Sequence, residues 1–415
     1  MRTLITSLTV IFTLHSVNAQ SFTLKDLEGQ FLKNNALLIA NKYNIDKADV
    51  EIIQEKLWQN PTLSISEVNL WKTYAVEEQP YLIGKYGNNQ QISIELEQLI
   101  ETAGKRRKRV ALKQVEKQTT LFEFEELLRT LKKELRLAYF TLNRIHSEEK
   151  QLNQMIELLT KMSEQFKHQV ELKNIPKVDF YRIQSELLGL KTERIELEKQ
   201  KLEVLKQLRI FTNNKELAFH TLFFDAKVSP KQLPLNMIEL AKRQNIGLKK
   251  QLNELERAEK ALIVQKANRT PDLIAQVNYD RGGNIMRDFM GFGVSIDLPI
   301  FNNNKQNVKL VELAISQEKS YQSALEINLE EEITQLETQF KLIEDTMKEW
   351  PVEQLNEQSK MIENFKKHLL NRQVTLIEFI DFIQAYREAN RGYIQLEEAY
   401  NQTIEELQYI VGNDF

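Results

Sequence analysis

The chain contains no cysteine and little glycine or proline, only 12 and 8 residues among 415. Without cysteine it cannot form a disulfide bond, and no N-terminal cysteine can carry a lipid anchor. Scarce glycine and proline favour long helices over loops. The net charge of −3 lacks the positive excess of a dedicated nucleic-acid binder, so we expect no nucleic-acid partner.

Long apolar runs are also scarce, apart from the first residues of the chain. Residues 1–19 have the features of a signal peptide: Arg2 is the positive region, 4–14 is the apolar region, and 17–19 resembles a cleavage site. We therefore expect the mature protein to begin at Gln20. No later run of about eighteen apolar residues occurs, which predicts no membrane-spanning helix.

Residue types that carry catalysis or bind metals form no constellation in this sequence. The five histidines are scattered, with one of them inside the predicted signal peptide. No Ser-His-Asp order, phosphate-cradling glycine loop or isolated pair of carboxylates stands out. We therefore expect no enzymatic activity, no cofactor and no dedicated metal site.

The second half of the chain resembles the first half in three segments that follow the same order. The pairs are "NPTLSISEVN" (60–69) with "TPDLIAQVNY" (270–279), "SIELEQLIETAGKRRKRV" (93–110) with "SIDLPIFNNNKQNVKLV" (295–311), and "KVDFYRIQSELL" (177–188) with "LIEFIDFIQAYR" (376–387). An old duplication is the simplest account. It predicts a first structural repeat over 20–211, an inter-repeat linker over 212–233 and a second repeat over 234–415.

Each repeat is predicted to contain a helix, a β-hairpin and two further helices. In the first repeat we place helices over 23–57, 104–171 and 177–211, with strands over 62–70 and 91–98. In the second repeat we place helices over 234–268, 304–369 and 376–411, with strands over 272–280 and 291–298. Pro351 should kink or break the helix that contains it. The predicted fold class is mainly α with a small β part.

Apolar residues in the long helices recur every 3.5 residues on average, as in a coiled coil. The repeat runs through Leu121, Phe124, Leu128, Leu131, Leu135, Ala138, Leu142 and Ile145, and again through Phe382, Tyr386, Ala389, Tyr393, Leu396, Tyr400, Thr403 and Leu407. A helix over 104–171 would be roughly 100 Å long. A periplasmic coiled-coil structural or adaptor protein is therefore one interpretation, although such a rod has no need of two hairpins.

Alternating apolar and polar residues in the strands indicate one face against lipid and one against water. Strands of about nine to eleven residues suit a tilted crossing of a membrane. Four strands cannot close a barrel, and open edges are not tolerated in lipid, so three copies with twelve strands are expected. The predicted lipid-facing residues are Ile92, Ile94, Leu96, Phe292, Val294, Ile296 and Leu298.

Taken together, the chain resembles the outer-membrane efflux protein family, the TolC-type exit ducts. The matching motifs are the leaders ending in "NPTLS" and "RTPDL", the junctions "LIETAGKRRKRV" and "LPIFNNNKQNV", and the turns "VELKNIPKVDF" and "LLNRQVTLIEFIDF". The resemblance implies a homotrimer with a twelve-stranded outer-membrane barrel and a long periplasmic α-helical barrel. It also implies docking to a periplasmic adaptor protein and an inner-membrane efflux pump.

The resemblance also assigns roles to residues at the two helical turns. The family's turns often carry a small "VGL"-like motif, of which Val170 and Leu172 keep the apolar residues while Glu171 replaces the glycine. The adaptor-contact residues implied in this way are Val170, Leu172, Asp179, Arg372 and Gln373.

Two acidic residues one helical turn apart follow the second turn, in "IEFID". The resemblance implies that Glu378 and Asp381 form a ring of carboxylates at the periplasmic pore entrance, where they would favour cations. The alternative is two solvated acids on a helix surface.

A basic run, "GKRRKR" at 104–109, lies between a predicted strand and a predicted helix. Cations at a helix N-terminus oppose the helix dipole, so an anion should offset them. We expect Lys105, Arg106, Arg107 and Lys108 to reach the phosphates of the outer-membrane lipid. A merely solvated charge run is the alternative.

Overall fold

The computed structural model describes residues 21–68, 92–224, 232–281 and 288–415, which form nine α-helices and four strands. The order is α1 Leu24–Asn34, α2 Ala36–Lys56, β1 Thr62–Ser66, β2 Ile92–Ile100, α3 Lys105–Glu171, α4 Lys177–Thr212, α5 Met237–Gln244, α6 Ile246–Ala267, β3 Leu273–Arg281, β4 Asp288–Ile296, α7 Lys305–Glu349, α8 Val352–Leu370 and α9 Leu376–Val411. The predicted class, mainly α with a small β part, is confirmed. The predicted signal peptide lies outside the described residues.

The chain divides into two compact units, and each unit draws on both halves of the sequence. Among the described residues, one unit comprises 21–36, 130–224, 232–233 and 336–407, and the other comprises 37–68, 92–129, 234–281, 288–335 and 408–415. Helices α3, α7 and α9 contribute residues to both units, whereas all four strands belong to the second. The units therefore do not coincide with the predicted repeats, and the duplication stays a prediction.

The first helix predicted in each repeat is two helices in the structure, which corrects the expectation over 23–57 and 234–268. The breaks fall at Asn35 and Asn245, whose backbones are extended, with ψ of 118° and 127°. The Asn35 side-chain amide donates to the Phe211 carbonyl at 3.0 Å, and that of Asn245 donates to the Ile410 carbonyl at 2.7 Å. Each asparagine thus interrupts a helix and donates a hydrogen bond to the end of a helix far along the chain. The same arrangement occurs in both halves of the chain.

The core of the first unit follows the predicted coiled-coil stripe. Along α3 the buried residues include Leu131, Leu135, Ala138, Leu142, Ile145, Leu152, Ile156, Leu159 and Phe166. On α7 and α9 a cluster of Phe340, Ile343, Tyr400 and Ile404 is also buried. Each fully buried large side chain contributes roughly 1.5–3 kcal/mol, so burial of this stripe stabilises the unit.

The core of the second unit includes a buried polar contact as well as apolar residues. Ile246, Leu248 and Val264 of α6 are buried. Asn253 is also buried, and its amide donates to the Val115 carbonyl at 3.1 Å and to the Thr119 hydroxyl at 2.7 Å. Because both hydrogens of the amide are used, its burial costs little, and it fixes α6 against α3.

Pro351 breaks the long helix predicted over 304–369, as expected. Helix α7 ends at Glu349, and Pro351 is the extended residue before α8, with φ −68° and ψ 147°. Proline lacks the N–H that would continue the helix. No helix among the described residues has the length and apolar character needed to cross a bilayer.

The described part of the predicted linker, 212–224 with 232–233, packs in the first unit. Leu222 forms an isolated parallel bridge with Phe22, and the Tyr139 hydroxyl donates to the Phe223 carbonyl at 2.6 Å. The linker is therefore held against α3 and the start of the described chain.

Candidate functional site

The four strands form one antiparallel sheet in the order β1-β2-β3-β4, which brings both predicted hairpins together. The register aligns Leu63, Leu96, Val277 and Phe292 in one row across the sheet. The next row contains Ser64, Glu95, Asn278 and Gly291. Because neighbouring residues of a strand point to opposite faces, one face of the sheet is apolar and the other is polar.

The apolar face is largely exposed in the single chain. Phe292 is 81% exposed and Val294 is 73% exposed, and Ile92, Ile94, Leu96 and Ile296 lie on the same face by register. Leu298 does not, because β4 ends at Ile296 and Leu298 follows it outside the strand. The prediction of Leu298 as a strand residue is therefore wrong, since the strand lies two to three residues earlier than expected.

The polar face carries carboxylates and amides instead of apolar groups. The Gln276 amide donates to the Glu97 carboxylate at 2.6 Å, across the β2–β3 pair. Glu95 lies opposite both Ser64 and Asn278. The composition of this face suits contact with water.

The outer strands, β1 and β4, each have one edge that is not paired among the described residues. Unpaired edge groups require either solvent or another strand. In an apolar environment only another strand can satisfy them.

The basic run after β2 separates into two groups in the structure. Lys105 is only 6% exposed, and its ammonium lies 2.8 Å from Asp272, whose carboxylate also accepts from the Thr102 N–H at 2.8 Å. The expectation that Lys105 reaches a lipid phosphate is therefore wrong. Its ammonium is held inside the fold, where it anchors α3 to the start of β3. Arg106 stacks on the Trp58 ring at 3.9 Å, and Arg107 is exposed.

The predicted turns between α3 and α4 and between α8 and α9 share one backbone design. Lys173 and Arg372 adopt left-handed conformations, with φ of 58° and 60°. Asn174 donates its N–H to the Gln169 carbonyl, and Gln373 donates to the His368 carbonyl, both at 2.9 Å. Both helices thus end in a Schellman motif without the glycine that usually supplies the left-handed residue.

The predicted adaptor-contact residues lie at these turns with different exposure. Leu172, Arg372 and Gln373 are exposed, and Val170 and Asp179 are partly buried. The Gln373 side chain also contacts the His368 ring. The turns therefore expose apolar side chains, among them Leu172 and Leu370, together with several polar groups.

Glu378 has a structural role that sequence reasoning missed. Its carboxylate accepts from the Thr375 N–H at 2.7 Å and from the Thr375 hydroxyl at 2.9 Å, which caps the start of α9. These bonds, the backbone bond first, lower the pKa of Glu378 below its ordinary value. Asp381 is exposed on the next turn, opposite the buried Phe379 and Ile380. The sequence contains a signal for the cap made by Glu378, because "TLIE" matches the Thr-x-x-Glu pattern of a capping box.

Sequence reasoning also missed ion pairs between elements of the first unit, most of which involve α9. The pairs are Arg136 with Glu28 (2.5 Å) and Glu405 (2.8 Å), Arg144 with Glu398 (2.9 Å), Lys133 with Glu406 (2.8 Å), and Arg387 with Glu193 and Glu186. Partners so far apart in the chain leave no spacing signal. The described residues contain no group of three or more His, Cys, Asp or Glu side chains able to hold a metal ion.

Glu397 on α9 carries an unfavourable buried charge. Burial raises the pKa of its carboxyl to about 7. The folded state therefore binds a proton that the unfolded state releases between about pH 4.5 and pH 7, so stability falls as pH rises through that window.

We expect Glu397→Gln to raise the midpoint of thermal unfolding at pH 8 and to leave it nearly unchanged at pH 4.5. After discounting for solvent screening, the gain at pH 8 should be about 1–2 kcal/mol. Thermal unfolding of the purified protein at both pH values measures it. The neighbouring Glu398→Gln is the control and should lower stability, because it removes the bridge to Arg144. An equal gain at both pH values would contradict the assignment.

The fold is shared with solved outer-membrane channels. The structure of CusC, studied for its transmembrane channel formation, matches with a TM-score of 0.76 and 12% identity over 96% of this chain and 93% of that chain. The outer-membrane channel OprN matches with a TM-score of 0.78 and 13% identity, over 94% and 90%. The outer-membrane channel CmeC of Campylobacter jejuni matches with a TM-score of 0.74 and 16% identity, over 94% and 86%.

These likenesses extend over nearly the whole chain and establish its fold. The single-chain fold expected from the resemblance to TolC-type ducts, long helices with a small antiparallel sheet, is confirmed, and the twelve-stranded trimer stays a prediction. No protein-family model matches the chain, and no curated protein matches it.

Proposed function

We propose that this chain, which has the fold of outer-membrane channels, is one protomer of a trimeric outer-membrane exit duct. The observation that supports the proposal most strongly is the sheet. Its apolar face is exposed, its opposite face is polar, and both of its edges are unpaired in the part of the chain that the structure describes. A membrane-embedded barrel with a wet lumen uses all three features.

Closure of the barrel requires further copies of the chain. The described sheet contributes four strands, and each unpaired backbone group in hydrocarbon costs several kcal/mol. Pairing β4 of one copy with β1 of the next removes these costs at every seam. Three copies give twelve strands, which is enough to enclose a channel.

The duct is passive in this proposal, with no catalytic step. The helical part would extend into the periplasm, where the turns at Leu172 and Arg372 dock a periplasmic adaptor that connects to an inner-membrane pump. The pump supplies the energy, and the duct supplies a polar path and a gate. The alternative is a periplasmic coiled-coil structural or adaptor protein.

Fractionation combined with conductance tests the proposal. A duct should remain with outer membranes after a salt wash, run as a trimer in mild detergent and give discrete conductance steps in a planar bilayer. A periplasmic rod or adaptor protein would appear in the soluble fraction and give no steps. The second result would reject the duct.

Glu378 and Asp381 are proposed to form the cation-binding ring at the periplasmic entrance. We expect Glu378→Gln with Asp381→Asn to weaken block of the bilayer conductance by a divalent cation about tenfold, because three copies lose six carboxylates at one constriction. Glutamine can still accept the bonds from Thr375, so helix α9 should keep its cap.

The matched control for this variant is Glu164→Gln, which removes an exposed acid of α3. It should leave block unchanged. Equal block in the wild type and the double variant would remove the ring from the account while leaving the duct intact.

A further inference from the structure

The cations at the start of α3 fall into a paired set and an unpaired set. Lys105 pairs with Asp272, and Arg109 pairs with Glu55 at 2.5 Å and with Glu101 at 2.6 Å. Burial lowers the pKa of Arg109, but its bonds to the two glutamates outweigh that effect and raise it overall. The paired set thus fixes the helix to its surroundings.

The unpaired set consists of the three residues between Lys105 and Arg109. Arg106, Arg107 and Lys108 make no ion pair with any carboxylate in the part of the chain that the structure describes. Three adjacent cations at a helix N-terminus repel one another and oppose the helix dipole. Their presence therefore calls for an anion from outside the described chain.

The second half of the chain shows that the junction does not need these cations. Helix α7 begins at Lys305 as α3 begins at Lys105, and Asn304 adopts φ 57° where Gly104 adopts φ 64°. Gln306, Asn307 and Val308 occupy the three positions that correspond to Arg106, Arg107 and Lys108. The same turn and helix start thus form with neutral residues, which leaves binding as the role of the cations.

A small pocket adjoins the unpaired set. Its lining includes Lys56, Trp58, Arg106 and Arg107, with Val110 as an apolar wall. The Arg106 guanidinium stacks on the Trp58 ring at 3.9 Å, which holds the group in place while its edge N–H donors stay available. Glu101 also lines the pocket, but its carboxylate is already paired with Arg109.

We propose that this pocket, defined by Lys56, Trp58, Arg106 and Arg107, binds the phosphate of an anionic lipid headgroup. Arginine forks and a lysine are the side chains that hold phosphate best, and an exposed tryptophan suits a membrane–water interface. Lys108 adds charge to the same surface.

The position of the pocket favours a lipid over a soluble phosphate. The last row of the sheet, Ile100 with Leu273 and Ile296, precedes Gly104 by only a few residues. In the corresponding loop of the second half Ile300 is 73% exposed and Phe301 is 101% exposed. If the sheet spans the membrane, as in the proposed function on which this inference rests, these apolar residues meet acyl chains and the cations meet headgroups.

Native mass spectrometry of the detergent-purified trimer tests the site. Phosphatidylglycerol should be retained at least about tenfold better than phosphatidylcholine by the wild type. The variant Arg106→Gln, Arg107→Asn, Lys108→Val, which copies the second-half residues, should lose that preference. The control Lys191→Gln, Lys199→Gln, Lys206→Gln removes the same charge from exposed positions of α4 and should keep it.

The arms of this experiment separate the possible failures. Retained preference in the junction variant would overturn the proposal. Displacement of the lipid by millimolar inorganic phosphate would reassign the site to a soluble anion and overturn the lipid assignment. The junction variant should still form trimers and conduct, so loss of lipid preference with intact conductance supports the site, whereas a wild type without conductance counts against the duct itself.

Discussion

Val277→Lys is expected to abolish assembly of the membrane-embedded trimer. Val277 lies in the middle of β3, between Leu96 and Phe292 on the apolar face. A lysine on the lipid face near the bilayer midplane costs about 2–4 kcal/mol, and a trimer carries this cost three times. Heat-modifiable trimer bands and outer-membrane fractionation measure the loss.

Asn278→Lys is the matched control on the next residue of the same strand. Its side chain lies on the polar face, opposite Glu95, so a lysine there meets water and a carboxylate. Trimers should form at close to wild-type yield. If both variants assembled equally, the assignment of the two faces of the sheet would be wrong.

Arg136→Met is expected to lower the free energy of unfolding of the first unit by about 3–5 kcal/mol, because it removes the guanidinium that contacts the buried carboxylate of Glu405. Arg136 contacts Glu28 at 2.5 Å and Glu405 at 2.8 Å, and the Glu405 side chain is only 6% exposed. Burial alone would lower the pKa of Arg136, but the bonds to Glu28 and Glu405 raise it above its ordinary value. Chemical denaturation of the purified protein measures the loss.

Lys199→Met is the control for an ion pair of the same type at the surface. Lys199 and Glu196 are 3.2 Å apart, and both side chains are more than 60% exposed. Exposed pairs contribute about 0–1 kcal/mol, so this change should be nearly neutral. Adding Glu405→Leu to Arg136→Met should recover part of the stability, because the more deeply buried of the two carboxylates that Arg136 contacts is then removed. Equal small losses for Arg136→Met and Lys199→Met would show that the Arg136 network contributes little.

Periodic features of this molecule could be predicted from the sequence, because many residues repeat the same signal. The coiled-coil stripe on α3 and the alternating faces of β2 and β4 were both evident from residue spacing. Pro351 by itself predicted a break in its helix, since a residue without an N–H interrupts the hydrogen bonding inside a helix.

Features that depend on one distant partner could not be predicted. Asn35 and Asn245 break helices because each amide bonds to the end of a helix far along the chain. Lys105 resembles its neighbours in sequence, and only Asp272 removes it from the exposed set. The end of β4 at Ile296 depends on its pairing with β3, so the alternating pattern alone extended the strand too far, to Leu298.

The two faces of one strand can be tested most directly with single cysteines, because the chain has no cysteine of its own. In bilayers, a charged, water-soluble thiol reagent should modify Asn278→Cys and reduce the conductance of each channel, since the proposed duct places the polar face of the sheet on the lumen. The same reagent should leave Val277→Cys unmodified in lipid. Modification of Val277→Cys with protection of Asn278→Cys, or the absence of any conductance from the unmodified protein, would contradict the barrel.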